Sequence, residues 1–381
     1  MFEKHTKLSK PDLGFFGRNE IALVGTSCGK IQEMTKYLIA RLKDTANIGY
    51  MDADHSSFDN DELPEFIKDG ATIFAQDKQN AWTKALAGKP EKFDFQKSFF
   101  QNDIILLNGN HFEAKNLLVF IDKTKFTSLE KRKNQLTNVL AFIEIDEDVK
   151  LPQFIHDEIN EIENVPTFSI DQQEEIASFV EKWYQDRIPK LNALILAGGE
   201  SSRMGKSKAL LNYHGIEQYK WLEKMLKLHV EQVFLSQRNN QEFETDLPII
   251  EDSFLNLGPM GAILSAMREQ PNAAWLVLAC DLPFLDGETV ELLIKNRSAK
   301  HVATAFKNEK TGFAEPLVAI WEPKAYQQLL HFLALGYSCP RKVLINTDTN
   351  LIACGNPEKL ANVNTPEEFE AAKRILDGTQ V

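Results

Sequence analysis

Short apolar runs alternate with longer amphipathic stretches along the whole chain, and that alternation confines it to one fold class. A parallel strand buried on both faces reads as an unbroken apolar run, whereas a covering helix reads as an apolar stripe of period 3.6. In the first half, Glu20 to Val24, Ile48 to Met51, Thr72 to Ala75, Asp103 to Leu107, Leu117 to Ile121 and Val139 to Ile143 have the character of strands. Helices are expected over Ile31 to Leu42 and from Asp171 to about Trp183. In the second half, Leu191–Leu196, Gln232–Leu235, Trp275–Ala279, His301–Ala305 and Pro316–Ile320 predict strands. Ile216–Leu228, Gly261–Arg268, Gly287–Lys295, Lys324–Leu333 and Pro366–Ile375 predict helices. The expected fold is α/β, as two three-layer domains, each with a mostly parallel sheet between helices. Gln185 to Lys190, with Pro189, is the linker candidate, dividing the chain into residues 1–187 and 188–381. A chain of 381 residues is long enough for both.

Composition narrows the function. With 43% hydrophobic residues the chain can build full cores without disulfides or structural metal. A net charge of −12 argues against nucleic acid as a partner, because neutralising a phosphate backbone needs a basic face. A local Lys/Arg cluster can still hold a small anion. Cys28, Cys280, Cys339 and Cys354 lack metal or redox spacing and are expected as reduced thiols. Met1 to Lys10 has no apolar core of a signal peptide, and no run is long enough to span a bilayer. The expectation is a soluble, cytoplasmic protein without a membrane partner.

The strand Leu191–Leu196 opens into Leu196-Ala-Gly-Gly-Glu-Ser-Ser-Arg-Met-Gly205, with Lys208 just beyond. Glycines let backbone N–H groups approach phosphate closely, and Arg203 and Lys208 can neutralise it, so the loop suits a polyphosphate. No Ser or Thr follows the lysine, which separates it from a Walker loop, and its glycines do not fit the dinucleotide fingerprint. The plain alternative is a surface turn with solvated charges. Downstream, Leu278-Ala-Cys-Asp-Leu-Pro283 ends a buried strand in Asp281, at the sheet edge where open α/β folds bind ligands. One carboxylate plus substrate phosphates suffices for Mg2+; a capping or turn role is the alternative. Ile249-Ile-Glu-Asp-Ser253 offers Asp252, and Gly258-Pro-Met-Gly261 a turn into a helix facing the ligand. A carboxylate accepts both adjacent N–H donors of guanine, whereas cytosine's ring acceptor would repel it; otherwise Asp252 is a solvated loop acid. In Ala361-Asn-Val-Asn-Thr-Pro-Glu-Glu368, Asn362 and Asn364 share one side of an extended segment. Asn364 equally suits an ordering role in the turn before a helix, which starts at Thr365-Pro366.

Together these motifs resemble the molybdenum cofactor guanylyltransferases of the MobA type, over nearly all of residues 191–381. The resemblance implies a Rossmann-like nucleotidyltransferase domain that transfers GMP from GTP to molybdopterin, with or without its molybdenum, and releases pyrophosphate. It implies nucleotide binding by Leu196, Ala197, Gly198, Gly199, Lys208, Asp252, Gly258 and Asp281, and catalysis by Arg203, Lys208 and Asp281 with Mg2+ on Asp281. It implies acceptor binding by Arg341, Asn362 and Asn364, near Glu315, and molybdoenzymes or other cofactor-biosynthesis proteins as partners. Three features depart from the pattern: Ser207 stands where the family has Asp, Ser236-Gln-Arg-Asn239 where it carries Asn, and Ile216 to Lys220 lacks Lys-Pro-Leu. A cytidylyltransferase and a non-catalytic pterin-cofactor carrier remain the rival readings.

In the first half, Val24-Gly-Thr-Ser-Cys-Gly-Lys-Ile31 stands where a P-loop belongs. The glycine spacing is short, and Ile31 occupies the place of the Ser or Thr that holds magnesium. Ile48 to Asp59 and Asp103 to Gly109 resemble the GTP-binding MobB type, with Asn108 where that family has an acid. The resemblance implies a degenerate relative over residues 1–187 that does not hydrolyse GTP. Asp52, Asp54 and His55 have metal-ligand chemistry, but a solvated loop is the favoured account.

Overall fold

The computed structural model describes residues 7–53, 64–146, 149–197, 207–238, 243, 245–309 and 311–378. The chain divides into two compact units. One is Leu13–Asp186; the other is the described part of Arg187–Val381 together with residues 7–12, where the Asp12 N–H donates to Asn272 Oδ1 at 2.8 Å. No helix among the described residues is long and apolar enough to cross a membrane.

The first unit contains β1 (Glu20–Val24), β2 (Ile48–Met51), β3 (Ile73–Lys78), β4 (Ala81–Leu86), β5 (Ile104–Asn108), β6 (Asn116–Ile121), β7 (Val139–Glu144) and β8 (Thr167–Ser169). Six of them form a parallel sheet in the order β2-β5-β1-β6-β7-β8. β1, β5 and β6 are buried throughout, as their unbroken apolar runs require of central strands. Buried Glu20 is the exception, and its carboxylate is satisfied by N–H groups of Phe15, Phe16 and Lys115 at 2.8–3.0 Å. The segment Thr72 to Ala75 does not join this sheet. It pairs antiparallel with β4 as a separate hairpin, because its continuation Gln76-Asp77-Lys78 is too polar to be covered on both faces.

The second unit contains β9 (Leu191–Leu196), β10 (Val233–Gln237), β11 (Ile249–Glu251), β12 (Ala274–Ala279), β13 (Ala303–Lys307), β14 (Ala314–Trp321) and β15 (Thr349–Ala353). Their order is β11-β10-β9-β12-β14-β13-β15, with β14 antiparallel to both neighbours and the other pairs parallel. Alternate residues of the central strands serve two cores. Ala193, Ile195, Leu276 and Leu278 pack with the helices Gln218–Leu226 and Gly287–Lys295. Leu194, Trp275 and Val277 pack with Pro259–Glu269 and Ala325–Ala334 on the other face. This is the expected three-layer α/β arrangement with a Rossmann-like, mostly parallel sheet. Trp275 and Trp321 lie opposite each other across β12 and β14, both fully buried, and anchor the second core.

One feature of the order locates a site. From β9 the chain winds outward through β10 to β11, then returns so that β12 lies on β9's other flank. The connections diverge there, which opens a crevice beyond the carboxyl ends of β9 and β12.

Candidate functional site

The register of β9 against β12 pairs Leu196 with Ala279, so both strands end at one level. Lys208 follows the first strand in a 3-10 turn, Lys208–Leu210, anchored by fully buried Ala209. Asp281 follows the second. Lys208 Nζ donates to Asp281 Oδ2 at 3.0 Å and to Asn364 Oδ1 at 2.7 Å. The pair is partly shielded, with side-chain exposures of 26% and 16%, so water screens it less than a surface ion pair. Asp281 Oδ1 is buried and meets no hydrogen-bond donor among the described residues. A buried carboxylate oxygen without a donor is costly, and a hard cation is the partner such an oxygen suits.

The C-terminal segment closes on the same point. The Val363 N–H donates to the Asp281 carbonyl at 2.9 Å, and the Val363 side chain is buried with Leu211, Tyr213 and Ala372. Thr365 caps the helix Pro366–Leu376 in a capping box with Glu368. That box holds Asn364 in place: its backbone N–H donates to Glu368 Oε2 at 2.6 Å. Asn364 therefore turns its side-chain oxygen to Lys208; both Asn364 and Asn362 are exposed. The Leu282-Pro283 turn is fixed by His214 Nε2 on the Pro283 carbonyl at 3.0 Å, with the imidazole stacked on Trp221. Burial lowers the pKa of that imidazole.

On the other flank of β9, the pairing of β10 with β11 brings Ser236 opposite Ile250, and Asp252 follows directly. Ser236 Oγ donates to Asp252 Oδ1 at 3.1 Å. Asp252 is only 8% exposed, and burial raises its pKa against the opposing pull of Ser236 and Arg238. Each carboxylate oxygen carries two lone pairs, so Oδ1 can accept a second donor beside Ser236. The neighbouring loop is tied to the helix Pro259–Glu269, because Ser265 Oγ accepts from the Ser253 N–H at 2.9 Å and donates to the Gly261 carbonyl at 2.7 Å. Gly258 caps that helix at φ +57, a conformation that favours glycine. At Gly261 a Cβ would stand 2.2 Å from the Phe254 carbonyl oxygen, which excludes any side chain.

Lys208, Asp281 and Asn364 thus form one group, with Ser236 on the neighbouring strand β10 and Asp252 beyond it. Leu196 ends β9 and Ala197 follows it, buried and with its N–H on the Ser236 carbonyl at 3.2 Å. Gly198, Gly199 and Arg203 lie outside the described residues. Arg341 belongs to a different group: it pairs with Glu315 at 3.5 Å, and Glu315 accepts from Asn308 Nδ2 at 2.6 Å. A cavity of about 470 Å³ borders Asn308, lined also by Lys307, Cys354, Asn356 and Leu360. Val363 and Ser265 carried no chemical signal in the sequence, because they bind backbone groups brought close only by the fold, whereas Glu368 was legible as an acid in the first turn after Thr365.

The corresponding turn of the first unit is built differently. Gly25, at φ +99, leads into Ser27, which caps the helix Cys28–Leu42. Ile31 is fully buried in the core. Thr26 Oγ1 is bound to Asp122 at 2.8 Å. Asp52 accepts from Tyr50, Gln32, Asn108 and the Ala53 N–H; burial would raise its pKa, but these hydrogen bonds outweigh it and hold the carboxyl below its usual value. Asp54 and His55 lie outside the described residues. Beside the turn is a cavity of about 230 Å³ lined by Thr26, Cys28, His111, Lys125 and Arg132.

Comparison with known proteins adds independent findings. The family described as "MobA-like NTP transferase domain" matches residues 193–349. A molybdenum cofactor biosynthesis bifunctional protein of Synechocystis is 39% identical over 182 residues, 47% of this chain and 52% of that protein. The chain therefore spans about half the length of that relative. A probable molybdenum cofactor guanylyltransferase of Carboxydothermus hydrogenoformans is 31% identical over 194 residues, covering 49% of this chain and 96% of that protein. Among solved structures, molybdopterin-guanine dinucleotide biosynthesis protein A of Archaeoglobus fulgidus aligns with a TM-score of 0.43 at 20% identity. That alignment spans 49% of this chain and 100% of the other.

Proposed function

The chain belongs to the molybdenum cofactor guanylyltransferase family, and on that premise we propose that its second unit transfers GMP from GTP to the terminal phosphate of molybdopterin. The observation that carries this is the meeting of Lys208, Asp281 and Asn364 at the switch point of the sheet, one strand away from buried Asp252. An acceptor phosphate oxygen attacks the α-phosphorus of GTP, and the bond to the leaving pyrophosphate breaks. No side-chain base is needed, because that phosphate is already ionised near neutral pH. Lys208 neutralises charge that develops on the pyrophosphate, joined by Arg203 from the glycine loop. Asp252 accepts from the guanine edge and disfavours cytosine.

Nucleotidyltransferases of this kind work on a metal-bound nucleotide, and the donor set here suits magnesium. Asp281 Oδ1 is the buried hard oxygen that would hold it, while Oδ2 stays on Lys208. When bound, the ion supplies charge neutralisation at the phosphates. On the acceptor side, Asn362, Asn364 and Arg341 are the proposed contacts.

The test is nucleotide-dependent pyrophosphate release from the full-length protein, with and without the pterin acceptor, using GTP and CTP in parallel. Release from GTP that requires the pterin supports the assignment. Preference for CTP would make the protein a cytidylyltransferase, and no release from either would favour a cofactor carrier.

A further inference from the structure

Lys208 is held from an unexpected direction. Its own neighbour does not orient it: Ser207 Oγ is buried and meets no hydrogen-bond partner among the described residues. Among the described residues, the acceptor that joins Asp281 comes from the far end of the unit, as Asn364 Oδ1 at 2.7 Å. An ammonium only donates, so the Asn364 amide must turn its oxygen to Lys208 and its NH2 away. Asn364 is itself immobilised. Glu368 Oε2 accepts from the backbone N–H groups of Asn364 and Thr365 at 2.6 and 3.2 Å, and the Glu368 N–H donates to Thr365 Oγ1 at 3.2 Å. The preceding residue, Val363, is pinned to the Asp281 carbonyl.

We propose that Asn364 is a positioning residue for Lys208, set by the Thr365–Glu368 capping box, so that nucleotide binding depends on the start of the last helix. The long stem of a lysine has many rotamers, and two fixed acceptors remove most of them before the phosphates arrive. Asn364 then acts on the nucleotide side of the reaction even without the pterin, a role distinct from contacting the acceptor. This rests on the assignment of Lys208 to the nucleotide phosphates.

Two measurements on the full-length protein test it. The first needs no nucleotide: competitive acetylation of lysines, read by mass spectrometry at Lys208, with Lys190, which is paired to Glu231, as internal reference. Asn364→Ala should raise Lys208 labelling about threefold or more, and Glu368→Ala should raise it less. Asn364→Asp should keep it near the wild-type rate, since a carboxylate still holds the ammonium. The second is magnesium–GTP binding without pterin. Asn364→Ala should weaken it about tenfold, and adding Asn364→Ala to Lys208→Ala should cost nothing further. Unchanged Lys208 labelling in Asn364→Ala, or losses that multiply in the double variant, would overturn the proposal. If the wild-type protein bound no nucleoside triphosphate, the functional assignment would fall, while the labelling would still decide whether Asn364 holds Lys208.

Discussion

The turns that follow β1 and β9 start from similar sequence material and end in opposite states. Each leaves a buried strand, passes through glycine and brings a lysine near an aspartate of the neighbouring strand. After β1, the hydroxyl and the carboxylates that could reach a ligand are bound within the protein. Thr26 is bound to Asp122, Asp52 is surrounded by donors, and the position that would ligate magnesium is Ile31, inside the core. After β9, Asp281 keeps a buried oxygen that meets no donor among the described residues, and Lys208 is held by two acceptors. A turn saturated from within stabilises a fold; one with aimed, unsatisfied groups has something left to bind. Short glycine spacing and Ile31 already marked the first turn as different, and its hydrogen bonds give the physical content of that difference.

The largest expected effect sets Asp281 against Asp122. Asp281→Ala should lower pyrophosphate release by about 10³-fold with little change in thermal stability, since it removes the proposed metal oxygen. Asp122→Ala should do the reverse, because it strips Thr26 and Thr124 of their acceptor. The expected cost is about 1–3 kcal/mol of stability, with activity retained. Calorimetry and steady-state rates on both variants check this, and an activity loss in Asp122→Ala as deep as in Asp281→Ala would erase the distinction.

The two lysines make the next contrast. Lys208→Ala should cut kcat/KM for GTP by about 10²-fold, and Lys30→Ala by less than about twofold. Measurable GTP hydrolysis by the first unit, abolished by Lys30→Ala, would show that its short loop works after all. At the base subsite, Asp252→Asn puts a donor where guanine presents its own donors. The GTP/CTP ratio of kcat/KM should fall about tenfold, as for a mispaired polar group of about 1–3 kcal/mol.

Much of this architecture was legible because burial writes itself into apolar runs. Leu191–Leu196 and Gly287–Lys295 keep their expected bounds, and the other predicted helices and strands of the second unit shift by a few residues at their ends. What escaped lacked that signature. β15 is partly exposed along its length, β8 is three residues long, and the helix Pro340–Ile345 is too short for a stripe. Thr72 to Ala75 misled because a hairpin strand and a buried strand share residue types over so short a run. In the site, Asp281 and Asp252 stood out as acids at strand ends. The link from Asn364 to Lys208 did not, since it joins residues far apart in sequence and depends on a capping box and one backbone hydrogen bond. The turn before the last helix is ordered by Thr365 and Glu368, with Asn364 contributing its backbone N–H and its side chain going to Lys208.

The smallest expected effect exposes the cost of a functional carboxylate in a buried place. Burial holds the Asp252 carboxyl above its usual pKa, against the partial opposition of Ser236 and Arg238. A group whose folded pKa is raised adds stability below its unfolded value, about 3.9 for Asp, and loses it as pH rises through the folded value. At neutral pH the ionised Asp252 is therefore a burden on the fold. Asp252→Asn should accordingly melt slightly higher than wild type near pH 7.5, and the gap should close as pH falls through the folded pKa. The same titration should act on selectivity with the opposite consequence, because protonated Asp252 no longer accepts two guanine donors. The wild-type GTP/CTP ratio should thus decline on the acid side at a pH above that of an ordinary aspartate. Ser236→Ala, which removes a hydrogen bond to the carboxylate, should move that decline closer to neutrality. Melting curves and GTP/CTP ratios for wild type and both variants across this range check it. A stability gap that did not vary with pH would mean that the ionisation of Asp252 is not what burdens the fold.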